Sequence, residues 1–205
     1  MVENTDEMTR RARLDAVLDR QDIFDCLQRI SRGIDRFDRA LFLSGYHPDA
    51  IIDAGGLVAD PERVYDHGRE LHEHGQEATL HHLHNHSCEL AGETAHSETY
   101  FFYVGRNRDG TNWQAGGRYL DRLECRAGRW KVVFRYTVME WSGELPTVAV
   151  PLFENVADLH RNGVPCRDDR DPSYRRPLLN RRAVTVPADA RALSTPDAAK
   201  RSAGD

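Results

Sequence analysis

An aspartate aimed at the apolar face of a helix can orient and charge a histidine, and this sequence offers such a residue. Asp22 to Ile34 carries Ile23, Leu27, Ile30 and Ile34 at spacings of three and four, the mark of an amphipathic helix. At 100° per residue, Asp35 falls about 20° from Phe24, 40° from Ser31 and 80° from Leu27 around that helix. A carboxylate is thus turned toward an apolar stripe. A salt bridge to Arg32, Arg36 or Arg39 is the plainer role for it, and geometry leaves both roles open.

The second position lies in Thr79-Leu-His-His-Leu-His-Asn-His86. As a strand, its side chains alternate between faces. Thr79, His81, Leu83, Asn85 and Ser87 then share one face, and Leu80, His82, His84 and His86 the other. Three histidines at i, i+2 and i+4 suit a transition metal, but no carboxylate or cysteine motif completes a ligand set, so no metal is expected. They equally suit a hydrated or intersubunit surface. The third position is Arg135, which shares a strand face with Thr137 and Met139. An arginine among apolar strand residues is costly to bury unpaired. Either it pairs with Glu98, Glu124 or Glu140, or it serves an anion in a pocket.

The elements that must position these groups can be read along the chain. Phe37, Leu41 and Phe42 suggest a second short helix or a kinked continuation of the first after Gly33, and Ala50–Asp53 a short strand. Asp60-Pro61-Glu62 opens a helix with Asp at the N-cap and Pro at the first turn, running to about His74. From Thr79 the texture changes. Thr79–Leu90, Ala95–Gly105, Asn112–Arg126 and Arg129–Trp141 are rich in β-branched and aromatic residues, and short Gly-containing turns separate them. Helices followed by a four-strand meander define an α+β class. The expected division is a domain over 1–145, an extension over 146–186 that packs on the domain or a neighbouring subunit, and a disordered Ala/Pro/Ser/Asp-rich tail over 187–205.

The 205 residues carry a formal charge of −5, and residues 161–205 hold a local excess of +4. The acidic body argues against nucleic acid as the main partner. No run approaches the ~20 apolar residues that span a bilayer, so no membrane association is expected. Four dispersed cysteines form no CxxC motif and point to free thiols in a reducing cytoplasm. No phosphate loop or nucleotide fingerprint is present, and no organic cofactor is expected.

Several stretches resemble SnoaL-like (NTF2-like) proteins: Leu14 to Ile23, Gly33-Ile-Asp-Arg-Phe-Asp38, Tyr46-His-Pro-Asp-Ala50, His81-His-Leu-His-Asn-His86, Gly117-Arg-Tyr-Leu-Asp-Arg122 and Gly128-Arg-Trp-Lys131. They span residues 14–145. The resemblance implies a cone-shaped α+β barrel, with N-terminal helices packed on a curved antiparallel sheet. The superfamily holds dehydratases, a dehydrochlorinase, isomerases, cyclases, formaldehyde lyases, oxygenase small subunits and members that only bind, so membership alone leaves function open. The motif is most similar to the dehydratase and dehydrochlorinase branch. That likeness implies Asp35, His81 and Arg135 as catalytic residues. It implies Tyr46, Asn85, Phe101, Tyr103, Tyr119, Thr137 and Met139 as substrate contacts. Ile30 stands where the dehydrochlorinase has a polar residue, a departure that speaks against a halogenated ring.

The implied function is a cofactor-independent lyase. His81, oriented by Asp35, would take a proton from a small aromatic or polycyclic hydrophobe, with elimination or C–C cleavage. Arg135 and a tyrosine would stabilise developing charge. An isomerase or cyclase with the same base, or a non-catalytic oxygenase small subunit or ligand-binding module, are the alternatives. A homo-oligomer, dimer or trimer, is the expected assembly.

Overall fold

The structure is a computed structural model. It describes residues 2–146 and 156–184, with side chains of the first helix from Asp6 onward. Contacts divide the chain into two compact units. One is Met1–Thr147 with Cys166–Asp168, and the other is Val148–Pro165 with Asp169–Asp205. The expected tail over 187–205 lies outside the described residues. In the second unit, Asp171 caps a 3-10 turn at Pro172–Tyr174, and an Arg182–Asp158 ion pair at 3.0 Å ties its strands of irregular chain.

Among the described residues the first unit holds three helices and six strands. In chain order they are α1 (Val2–Asp35), α2 (Arg39–Ser44), β1 (Tyr46–Asp53), β2 (Val58–Ala59), α3 (Pro61–Gly75), β3 (Gln76–Ala91), β4 (Thr94–Asn107), β5 (Asn112–Arg126) and β6 (Arg129–Glu144). The sheet order is β2-β1-β6-β5-β4-β3. The meander β3 to β6 is antiparallel as expected, whereas β1 joins β6 in parallel. A parallel neighbour needs a crossover, and the α3–β5 run of the chain supplies it. The sheet is open, with β2 and β3 at its edges.

Helix α1 starts some twenty residues before the expected segment. Its early part exposes Met8, Leu14, Val17 and Leu18, whereas Ile23, Cys26, Leu27, Ile30 and Ile34 enter the core with Phe42, Tyr65, Leu123 and Val132. The helix ends in a Schellman motif. Phe37 takes a left-handed φ of 53°, Phe37 N–H bonds Ile34 O, and Asp38 N–H bonds Gly33 O at 2.9 Å. Asp38 then caps α2 through Leu41 N–H at 2.9 Å. Gly33 is needed here: a Cβ on it would meet the Phe42 backbone N at 2.5 Å. These two caps fix the last turn of α1, and with it Asp35.

Candidate active site

Asp35 and His81 meet. The Nδ1 of His81 lies 2.7 Å from Asp35 Oδ1, and the His81 backbone N–H donates to Asp35 Oδ2 at 2.8 Å. One carboxylate therefore grips both the ring and the strand that carries it. Both side chains are nearly buried, with 10% of Asp35 and 14% of His81 exposed. Burial pushes the Asp35 carboxyl up, but the His81 charge and the two hydrogen bonds outweigh it and hold the group below its ordinary value. With Nδ1 engaged, Nε2 is the ring nitrogen left for chemistry.

His81 opens into a predominantly apolar cavity of about 450 Å³ between the helices and the concave face of the sheet. Of the residues that the family resemblance implied, Tyr46, Phe101, Tyr103, Tyr119, Arg135, Thr137 and Met139 line it. His72, His67 and Trp113 line it as well, and sequence reasoning missed them. Burial pushes the Tyr119 phenol up to about 12 and raises Tyr46 and Tyr103 further, so all three hydroxyls remain protonated at neutral pH.

Arg135 pairs with none of the three expected glutamates. Its Nε and Nη2 donate to the two Asp121 oxygens at 2.7 and 2.9 Å, a bidentate pair with 6% and 0% of the side chains exposed. Glu98 and Glu140 hold Arg118 instead, and Glu124 holds Arg122 and Arg126. The cause is register. A bulge between Arg122 and Leu123 puts Asp121 directly opposite Arg135. The guanidinium also lies 4.2 Å from the Tyr119 ring centroid.

His72 reaches the cavity from the last turn of α3. Its Nδ1 lies 2.7 Å from Gln76 Oε1, which also accepts the Tyr103 hydroxyl at 2.7 Å. Its ring stands 6.0 Å from that of His81, edge on. Burial lowers its pKa from 6.5 despite the Gln76 bond.

A family model described as a SnoaL-like domain matches residues 15–136. The chain belongs to the SnoaL-like domain family. No curated protein matches it in sequence. Among solved structures, it is similar to a hexachlorocyclohexane dehydrochlorinase, LinA type 2, with 20% identity, 67% of this chain and 97% of that one covered, and a TM-score of 0.61. The LinA type 3 enzyme of Novosphingobium barchaimii LL02 gives 19%, 66%, 95% and 0.60. A scytalone dehydratase-like protein of Novosphingobium aromaticivorans gives 16%, 65%, 92% and 0.57. At these identities the likeness shows a shared fold, the NTF2-like α+β cone.

In the SnoaL-like unit Asn85 is displaced from the expected face. A bulge between Leu83 and His86 inserts one residue into β3, so the alternation shifts. Asn85 becomes exposed and does not line the cavity. His86 turns inward instead, bonds Thr99 Oγ1 at 2.8 Å and packs on Phe24. The supposed outward trio of His82, His84 and His86 is thereby broken. Among the described residues no group of three His, Cys, Asp or Glu side chains is placed to hold a metal. Arg167, which no motif flagged, lies over the Phe37 ring at 4.7 Å and donates to His72 O at 2.9 Å. Its Nε and Nη2 are buried without a hydrogen-bond partner among the described residues.

Proposed function

We propose that this SnoaL-like protein is a cofactor-independent lyase of the dehydratase type, acting on a small aromatic or polycyclic hydrophobe. The observation that carries the reading is the His81–Asp35 contact of 2.7 Å on the wall of an apolar cavity. His81 Nε2 takes a proton from a substrate carbon or hydroxyl, and Asp35 stabilises the imidazolium that forms. The electron pair released expels a leaving group or cleaves a C–C bond. Tyr46 and Tyr119, protonated and beside Arg135, donate hydrogen bonds to the oxygen on which charge develops. Arg135 fixes these rings rather than meeting the substrate with its fork, because Asp121 occupies two of its nitrogens. Phe101, Tyr103, Thr137 and Met139 shape the cavity.

The protein works as a homo-oligomer in a reducing cytoplasm. The outer face of the sheet supports the first part, since it exposes Leu80, Tyr100, Phe134, Tyr136 and Trp141 together. Four free cysteines support the second. Among the described residues no helix is long and apolar enough to cross a membrane.

The test is turnover of aryl and polycyclic alcohols without added cofactor. His81→Ala and Asp35→Asn should each lower kcat by about 10²- to 10⁴-fold, with circular dichroism confirming the fold. Wild-type turnover in both folded variants would sink the reading. An isomerase using the same base stays in play, because His72 and His81 line one cavity and offer two places to exchange a proton. Product analysis separates the two: loss of water marks the lyase, a retained formula the isomerase.

A further inference from the structure

Two donors converge on one atom at the end of α3. The Tyr103 hydroxyl and the His72 Nδ1 both lie 2.7 Å from Gln76 Oε1. A carbonyl oxygen can accept both. The amide nitrogen has its own acceptor in Asn107 Oδ1, at 3.5 Å. With the amide oriented by Asn107, the His72 proton is assigned to Nδ1.

The slot that seats Gln76 depends on one residue. A Cβ on Gly105 would collide with the Gln76 amide nitrogen and come within 2.9 Å of the Tyr103 hydroxyl. The β4 glycine thus leaves the space in which the amide lies. Gln76 is also the C-cap of α3, with its N–H on His72 O, and Arg167 Nη1 donates to that same carbonyl. The His72 ring is positioned from its side chain and from its backbone.

The far side of the ring is unengaged. His72 Nε2 makes no hydrogen bond among the described residues, and it is not among the polar atoms sealed from solvent. Burial keeps the ring neutral, and His81 and Arg167 press in the same direction. A neutral imidazole with Nδ1–H bound offers a lone pair at Nε2.

We propose that His72 is a specificity-determining acceptor in the cavity, whose Nε2 receives a hydrogen bond from a substrate hydroxyl. The cavity then selects a hydroxyl-bearing hydrophobe over its halogenated isostere, because a chlorine cannot donate and leaves a polar atom unmatched. The assignment deepens the lyase reading by naming its substrate class, and it rests on the same cavity being the binding site.

The test uses the full chain with 2-naphthol and 2-chloronaphthalene as probes of matched shape, titrated calorimetrically. The wild-type protein should bind 2-naphthol about tenfold more tightly. In His72→Phe that preference should collapse to within about twofold, with 2-chloronaphthalene binding retained. Nitrogen-15 NMR should show the His72 side chain as the Nδ1–H tautomer, and a mixture of tautomers in Gln76→Leu and Gly105→Ala. These two variants keep the question open should His72→Phe fold poorly. An Nε2–H tautomer in the wild type, no preference for 2-naphthol, or a preference that survives in His72→Phe would each overturn the proposal. None of these measurements needs turnover. Retained activity in His81→Ala would remove the lyase reading and leave the His72 result standing.

Discussion

Asp121 shows how much a single buried partner carries. Its carboxylate is fully enclosed and bears the whole of a bidentate bond from Arg135. Removing one member of such a pair leaves a buried charge uncompensated, at about 3–5 kcal/mol. Asp121→Ala should therefore unfold at much lower urea than the wild type by that amount, and a shift below 1 kcal/mol would contradict the burial. Two other residues set a pH dependence. Burial lowers His72 from 6.5, so the unfolded chain binds that proton more readily, and stability falls as pH drops below about 6.5. Asp35 acts further down. Its folded value lies below 3.8, so its contribution is present above that pH and is lost as pH falls through the folded value. Burial lowers His86 from 6.5 as well, so urea midpoints should decline between pH 7.5 and 5.5 through both rings, and His72→Gln should lessen that decline. An unchanged slope would mean His72 is not its source.

At the scale of elements, periodicity carried most of the architecture. The meander was legible because its four strands alternate and Gly-containing turns bound them; the α3 start was legible from Asp60 and Pro61. The early part of α1 was not, because Met8, Leu14, Val17 and Leu18 face outward and leave no buried stripe to read. The site was legible where alternation runs unbroken, as at Arg135, Thr137 and Met139. It failed at two of the bulges. The one after Leu83 moved Asn85 out and His86 in, and the one at Arg122 supplied Asp121 as the partner of Arg135. His72 and Arg167 come from a helix end and a distant segment, and only tertiary packing brings them near the cavity. Close packing of elements also sets a prediction. Gly33→Ala should push α2 away from α1 and lower stability by about 1–3 kcal/mol, read as a drop in Tm; an unchanged Tm would mean that α2 yields freely.

At the scale of the whole molecule, the exposed apolar face of the sheet predicts association. Tyr136→Glu combined with Phe134→Glu should shift the protein toward monomer in light scattering, since both side chains lie on that face and stand about two-fifths exposed. A monomeric wild type would refute this. The grip of Asp35 on β3 has a different consequence. Among the described residues β3 is an outer strand of the sheet, bonded on one side only by β4. The His81 N–H that Asp35 receives does not bond another strand. The carboxylate thus blocks a site at which a foreign strand would dock and seed aggregation. A protein of this fold that only bound ligands would still use this aspartate to cover the β3 edge. On the lyase reading, the two oxygens that orient His81 are the same two that shield the edge of β3.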